Sequence, residues 1–223
     1  MWSNTVKRCL SEIAARHREL VRKTWQHGYQ QYMANAFPLD ELRPLSCKGQ
    51  GHNRSDATQE AFNDVAGDFL LQVVDCLDTF VVMNDSKGFQ TAVAQVISHV
   101  SFDKDSKVQV FEVTIRVLGG LLSAHIFASD PQYGFAIPWY TDELLSMSRD
   151  LARRMLPAFS NSPSGIPFAR VGSSFAVLFR YHLILKVRST SNMVLQTSKT
   201  FANGKLALQE LDLFCWNSQL SVD

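Results

Sequence analysis

Val6, Leu10, Ile13, Leu20, Val21, Trp25, Tyr29, Tyr32 and Met33, with His17 among them, follow one another at three- and four-residue steps. That spacing predicts a long amphipathic helix. Phe37-Pro38 closes it, because the residue before a proline is pushed out of the α region. Residues 39–63 are polar and rich in Gly, Ser, Asn and Asp. They read as a long loop, of a length that usually carries function or moves. Asp64 can cap a second helix, on which Val65, Phe69, Val73, Leu77 and Phe80 repeat. Asn84-Asp85-Ser86-Lys87-Gly88 is a turn. A third helix holds Phe89, Ala92, Val93, Val96, Ile97 and Val100. A fourth holds Val110, Phe111, Ile115, Leu118, Leu122 and Ile126. After a loop with Pro131, Gly134 and Pro138, a fifth starts at Thr141 and closes at Pro157. Asp142 and Glu143 in its first turn and Arg153 and Arg154 near its end suit the helix dipole.

After Gly172 the pattern changes. Residues 174–187 alternate loosely and can form a strand. Residues 188–223 are rich in Ser, Asn and Gln, with one weak helical stretch over 206–214. The expected class is mainly α, antiparallel helix hairpins over residues 1–172, followed by an irregular or weakly β tail over 173–223.

Composition narrows the function. The chain has 223 residues, 22 basic and 21 acidic, a formal net charge of +1. No basic field exists for nucleic acid to follow, so no nucleic-acid partner is expected. No apolar run approaches the ~18 residues of a membrane helix; the longest candidate, 175–187, is broken by Arg180, His182 and Lys186. The first eight residues carry no apolar stretch of the secretory kind. Cys9, Cys47, Cys76 and Cys215 lack CxxC spacing, and the histidines His27, His52, His99 and His125 lack ligand spacing, so no metal site is expected within this chain. Asn53-Arg54-Ser55 and Asn84-Asp85-Ser86 are N-glycosylation sequons in polar stretches. P-loop, GxGxxG and GxSxG motifs are absent.

The chemistry concentrates on the fourth helix. Phe111, Ile115, Leu118 and Leu122 are expected on its apolar face, with Glu112, Arg116, Gly119, Gly120 and Ser123 near the other. Glu112 and Arg116 are i,i+4 neighbours, a pairing worth ~0.3 kcal/mol on a plain surface. The adjacent glycines each cost about 1 kcal/mol inside a helix, so another backbone or a ligand is expected to come close there. On the second helix, Asp75 and Asp78 sit amid apolar residues. Buried charge needs partners, so they serve either catalysis or a network with Arg43 or Arg116. Asp40-Glu41-Leu42-Arg43-Pro44 is a charged cluster that also reads as a plain solvated turn.

These stretches carry a resemblance. Residues 37–45, FPLDELRPL, look like a loop of the class I α-1,2-mannosidases, glycoside hydrolase family 47. Residues 74–79, VDCLDT, resemble their second-helix motif. Residues 110–125, VFEVTIRVLGGLLSAH, are similar to their most specific signature. Cys47, residues 100–105 (VSFDKD), 154–159 (RMLPAF) and 164–167 (SGIP) point to the ER degradation-enhancing α-mannosidase-like branch. The resemblance covers about Arg18 to Val171. It implies the first hairpins of an (α/α)₇ barrel and Ca²⁺-dependent, inverting hydrolysis of terminal α-1,2-mannose. The implied substrates are high-mannose N-glycans on misfolded glycoproteins in the endoplasmic reticulum, with an ER oxidoreductase as a further partner. It places Glu112 on the catalytic acid and Arg116 on a glycan-contacting arginine. Glu41 and Arg43 join the substrate-binding set, Asp75 and Asp78 a supporting one, and Asn84 falls where relatives often carry a sequon. Two departures stand out. Leu70 and Gln72 replace the usual Ser and Thr of the second-helix motif. Residues 173–223 match none of the later hairpins that carry the other carboxylates and the calcium ligand, as a truncated gene product would. A binding factor without hydrolysis, or an inactive fragment, are the competing expectations.

Overall fold

The computed structural model describes residues 4–56, 59–160, 162–163 and 166–172. The tail expected over 173–223, with its strand and weak helix, lies outside them.

Helix α1 (Asn4–Asn35) is as long as its periodicity predicts. Only its last third docks. Trp25 stacks on Tyr29 at 5.8 Å, and both meet Phe80 edge-on at 4.8 and 5.0 Å. Tyr32 is 1% exposed and donates its hydroxyl hydrogen bond to Leu39 O at 2.7 Å. Earlier in the same stripe, Ile13, Leu20 and Val21 remain exposed.

The stretch expected as one long loop contains an antiparallel hairpin. Strand β1 (Glu41–Arg43) pairs with β2 (Lys48–Gln50), Glu41 opposite Gln50. A one-turn helix α2 (Glu60–Asn63) follows. The expected helix from Asp64 to Phe80 is broken. Residues 64–70 are irregular, with Asp68 and Leu70 in the left-handed region at φ 60° and 58°. Helix α3 (Leu71–Asp75) and helix α4 (Leu77–Val82) then meet at Cys76. Asp64 caps nothing here. Its carboxylate is clasped by Arg170, Oδ2 accepting from Nη2 at 2.8 Å and Oδ1 from Nε. A two-pronged guanidinium contact is stronger than a backbone cap, and it ties this loop to the far end of the described chain.

Helix α5 (Ser86–His99) is capped by Asp85, which accepts from Gly88 N at 2.9 Å. Strand β3 (Lys107–Gln109) leads into helix α6 (Val110–Val113), a π-helical turn (Thr114–Leu118) and helix α7 (Gly119–Ser129), one continuous rod. By length and composition residues 110–129 could cross a membrane, but Glu112 and Arg116 interrupt the stretch. Its buried face, Val110, Val113, Val117, Leu118, Leu121, Leu122, Ala124 and Ala128, forms core. Phe111 and Ile115, expected on that face, are exposed at 37% and 46%. The rod is apolar nearly all round, so periodicity alone could not select the buried side.

Helix α8 (Glu143–Ser160) packs on α7. Pro157 lies inside α8 rather than ending it. Arg153, whose carbonyl the proline leaves without its helical donor, is on the exposed side. Strand β4 (Arg170–Gly172) returns to pair antiparallel with β3, Gln109 opposite Arg170. Arg154 binds α8 to the loop between α5 and β3 through Phe102 O at 3.0 Å and Asp103 at 3.6 Å. Two of the branch-specific stretches therefore touch. The fold is mainly helical, with helix pairs around a common core.

Candidate active site

Two contacts fix the start of the 110–129 rod. Gln109 N donates to Asp64 O and Val110 N to Ala169 O, both at 2.9 Å. Further along, Gly120 sits against α3. A Cβ there would lie 2.9 Å from Val74 O and 3.1 Å from Val74 Cγ1. Of the two partners expected to approach the glycine pair, backbone is the one observed at Gly120. Gly119 meets only Thr114 O at an ordinary 3.5 Å.

This close approach brings α3 beside Glu112 and Arg116. The Arg116 guanidinium donates from Nε to Glu112 Oε2 at 2.8 Å and from Nη1 to Asp75 Oδ2 at 3.0 Å. One cation thus bridges two carboxylates from two elements, which selects Arg116 over Arg43 as the partner of Asp75. Glu112, Asp75 and Arg116 side chains are 24%, 31% and 44% exposed, so the triad opens to solvent. Burial pushes the Asp75 carboxyl above the usual carboxylate range. Arg116 pulls it back, while the charges of Asp78 and Glu112 push it further up. The two carboxylates raise Arg116 in turn. Asp78, on the exposed side of α4, is raised by partial desolvation, offset by backbone N–H groups.

Glu41 and Arg43 are not part of this cluster. They lie on β1, where Arg43 bonds across the hairpin to Gln50. Their neighbour Asp40, read from sequence as part of a solvated turn, is fully buried. Its carboxylate accepts from the N–H groups of Asp68 (2.6 Å), Phe69 (2.9 Å) and Leu71 (3.1 Å). That bracket holds the start of α3, and with it Asp75. Sequence reading missed it because the partners lie 28 to 31 residues ahead. The π-helical turn was missed as well; no residue pattern announces one.

Asn84 is exposed at φ 58°. Asn53 is half-buried, and its Oδ1 accepts from Ser55 N, Ser55 Oγ and Asp56 N. Cys47 is an exposed free thiol in the β1–β2 turn, and Cys76 is a buried one. His125 is packed rather than free, 2.9 Å from the Tyr140 hydroxyl. Among the described residues, no group of three or more His, Cys, Asp or Glu side chains is arranged to hold a metal ion.

Residues 24–179 match the model of glycosyl hydrolase family 47. The chain is 52% identical over 181 residues to ER degradation-enhancing alpha-mannosidase-like protein 1 of Schizosaccharomyces pombe, covering 81% of this chain and 23% of that protein. It is 42% identical over 158 residues to ER degradation-enhancing alpha-mannosidase-like protein 3 of Homo sapiens, covering 70% and 17%. The alpha-1,2-mannosidase from Trichoderma reesei superposes with a TM-score of 0.56 at 28% identity, over 70% of this chain and 30% of the other. The chain thus spans less than a third of the length of each of these proteins.

Proposed function

The chain belongs to glycosyl hydrolase family 47, and from that premise we propose that it carries the acid-bearing part of an exo-α-1,2-mannosidase acting on N-glycans. The observation that carries this reading is the open triad of Glu112, Arg116 and Asp75 within the matched segment. Arg116 holds Glu112 Oε2 and leaves Oε1 to meet a leaving glycosidic oxygen. A carboxylic acid so oriented protonates that oxygen as the bond breaks. Arg116 orients the acid and contacts the glycan. Asp75 and Asp78 support it, and Glu41 and Arg43 offer further glycan contacts from the hairpin. Inversion needs a second carboxylate about 6.5–9.5 Å from the acid to activate water. This reading assigns that role to no described residue.

The described residues do not fit the Ca²⁺ that the family resemblance implies. The nearest acidic group is already bridged by a guanidinium, and no other cluster offers the several oxygens a hard cation needs. Residence in the endoplasmic reticulum belongs to the same proposal, supported by the names of the relatives, and misfolded glycoproteins as substrates are what the family resemblance implies. The same proposal includes an oxidoreductase partner at the exposed Cys47 and glycosylation at Asn84 or Asn53; the family match runs to residue 179, past the boundary expected at 172.

The test is release of mannose from a high-mannose N-glycan by the 223-residue chain with Ca²⁺ present, read by mass spectrometry. Hydrolysis that falls at least ~100-fold in Glu112→Gln supports the acid assignment. A wild-type chain that releases no mannose overturns the enzyme reading. The alternative reading is capture of mannose-bearing clients without hydrolysis. Glycan retained on the immobilised chain without release would select it.

A further inference from the structure

The rod from Val110 to Ser129 is held at its start and at its middle by unrelated contacts. β3, Asp64 and Ala169 hold its start, and the seat of Gly120 on Val74 holds it further on. Between them the helix opens into the π turn, with Arg116 at its centre. The opening is visible in the hydrogen bonds. Gly119 N donates back to Thr114 O, an i→i+5 bond, and shares itself with Arg116 O. Thr114 N is likewise split between Val110 O and Phe111 O. The Thr114 hydroxyl donates a short 2.6 Å bond to Val110 O. A side chain bonded to the i−4 carbonyl competes with the helix's own ladder and bends it. A π turn takes up about one extra residue and is found mostly at functional sites.

We infer that Thr114 is a positioning residue: its hydroxyl, bonded to Val110 O, keeps the π turn open so that Arg116 reaches Glu112 and Asp75 together. This rests on the reading of Glu112 as the acid only for its catalytic meaning; the geometric claim stands apart from it. Thr114 itself touches neither carboxylate. It acts through the backbone that carries Arg116. If the turn closes to α-helical bonding, residue 116 rotates relative to Asp75, whose own helix is fixed by Gly120 and Asp40.

The readout is the titration of Asp75, followed by carboxyl ¹³C NMR in the 223-residue chain. The charged groups facing Asp75 are Arg116, Asp78 and Glu112. Loss of Arg116 removes the opposing charge, so Thr114→Val is expected to shift the Asp75 midpoint upward with helix content unchanged by circular dichroism. Thr114→Ser keeps a hydroxyl and is expected to restore the wild-type midpoint, which a merely structural role would not require. Thr114→Ala carries the same expectation as valine should valine fail to fold. An unchanged Asp75 midpoint in a folded Val or Ala variant overturns the inference, as does failure of serine to restore it. If the chain releases mannose, Thr114→Val should also lower the rate. If it releases none, the mannosidase reading fails while the Asp75 titration still decides the role of Thr114.

Discussion

Asp40 shows how far a residue's role can lie from its sequence neighbourhood. It sits beside Glu41 and Arg43 in a charged run, yet it is buried and its partners are backbone N–H groups of another element. Burial raises its carboxyl above the usual range, and the three N–H groups only partly offset this. A carboxyl raised on folding holds its proton to higher pH in the folded state. The associated stability is complete below the unfolded pKa, about 4, and is lost as pH rises through the folded pKa. Asp40→Asn cannot titrate, so the stability margin of wild type over this variant should shrink from acid to neutral pH. Urea denaturation of both proteins across that range checks it, and a margin that stays flat or grows would sink the argument. Glu112 and Arg116 were legible because one helix turn joins them. Asp75 was legible as a charge among apolar residues, with Arg116 and Arg43 left as equal partners until α3 and the rod were placed.

Periodic stretches became elements where one face is clearly apolar, as in α5 and the docked third of α1. It failed over 64–80, because the apolar repeat continues through a segment whose backbone is bent by Asp40 and by the Asp64–Arg170 clasp. Both clasps join residues far apart in sequence, so no local pattern contains them. The glycine pair was half legible: two helix-weakening residues need a reason, but only Gly120 has a steric one. The two should therefore respond oppositely to alanine. Gly120→Ala gains about 1 kcal/mol of propensity and drives a Cβ to 2.9 Å from Val74 O, an overlap with backbone costing roughly 1–3 kcal/mol. Gly119→Ala gains the same propensity against an ordinary 3.5 Å contact. Thermal melts should show Gly120→Ala less stable than wild type and Gly119→Ala equal or more stable. The same melting temperature for both variants would show that α3 does not hold the rod at Gly120.

The described chain has a packed centre and one large unpartnered feature. Helix α1 runs well ahead of Trp25, where docking begins, and presents Ile13 (47%), Leu20 (61%) and Val21 (55%) to solvent, with Arg16 and Lys23 beside them. Their spacing is that of a core stripe, which is why the sequence reads as a helix with a buried face over its whole length. Burying three such side chains is worth on the order of 1.5–3 kcal/mol each, so water is a poor permanent neighbour for this surface. With no other cover, the stripe should drive self-association. Sedimentation velocity over a dilution series should show concentration-dependent association in wild type, suppressed by Leu20→Glu combined with Val21→Glu. These positions are exposed and lie ahead of the Trp25–Tyr29–Phe80 cluster that docks the helix, so far-UV circular dichroism and the melting temperature should hold. A wild-type chain that remains monomeric throughout would sink this self-association argument.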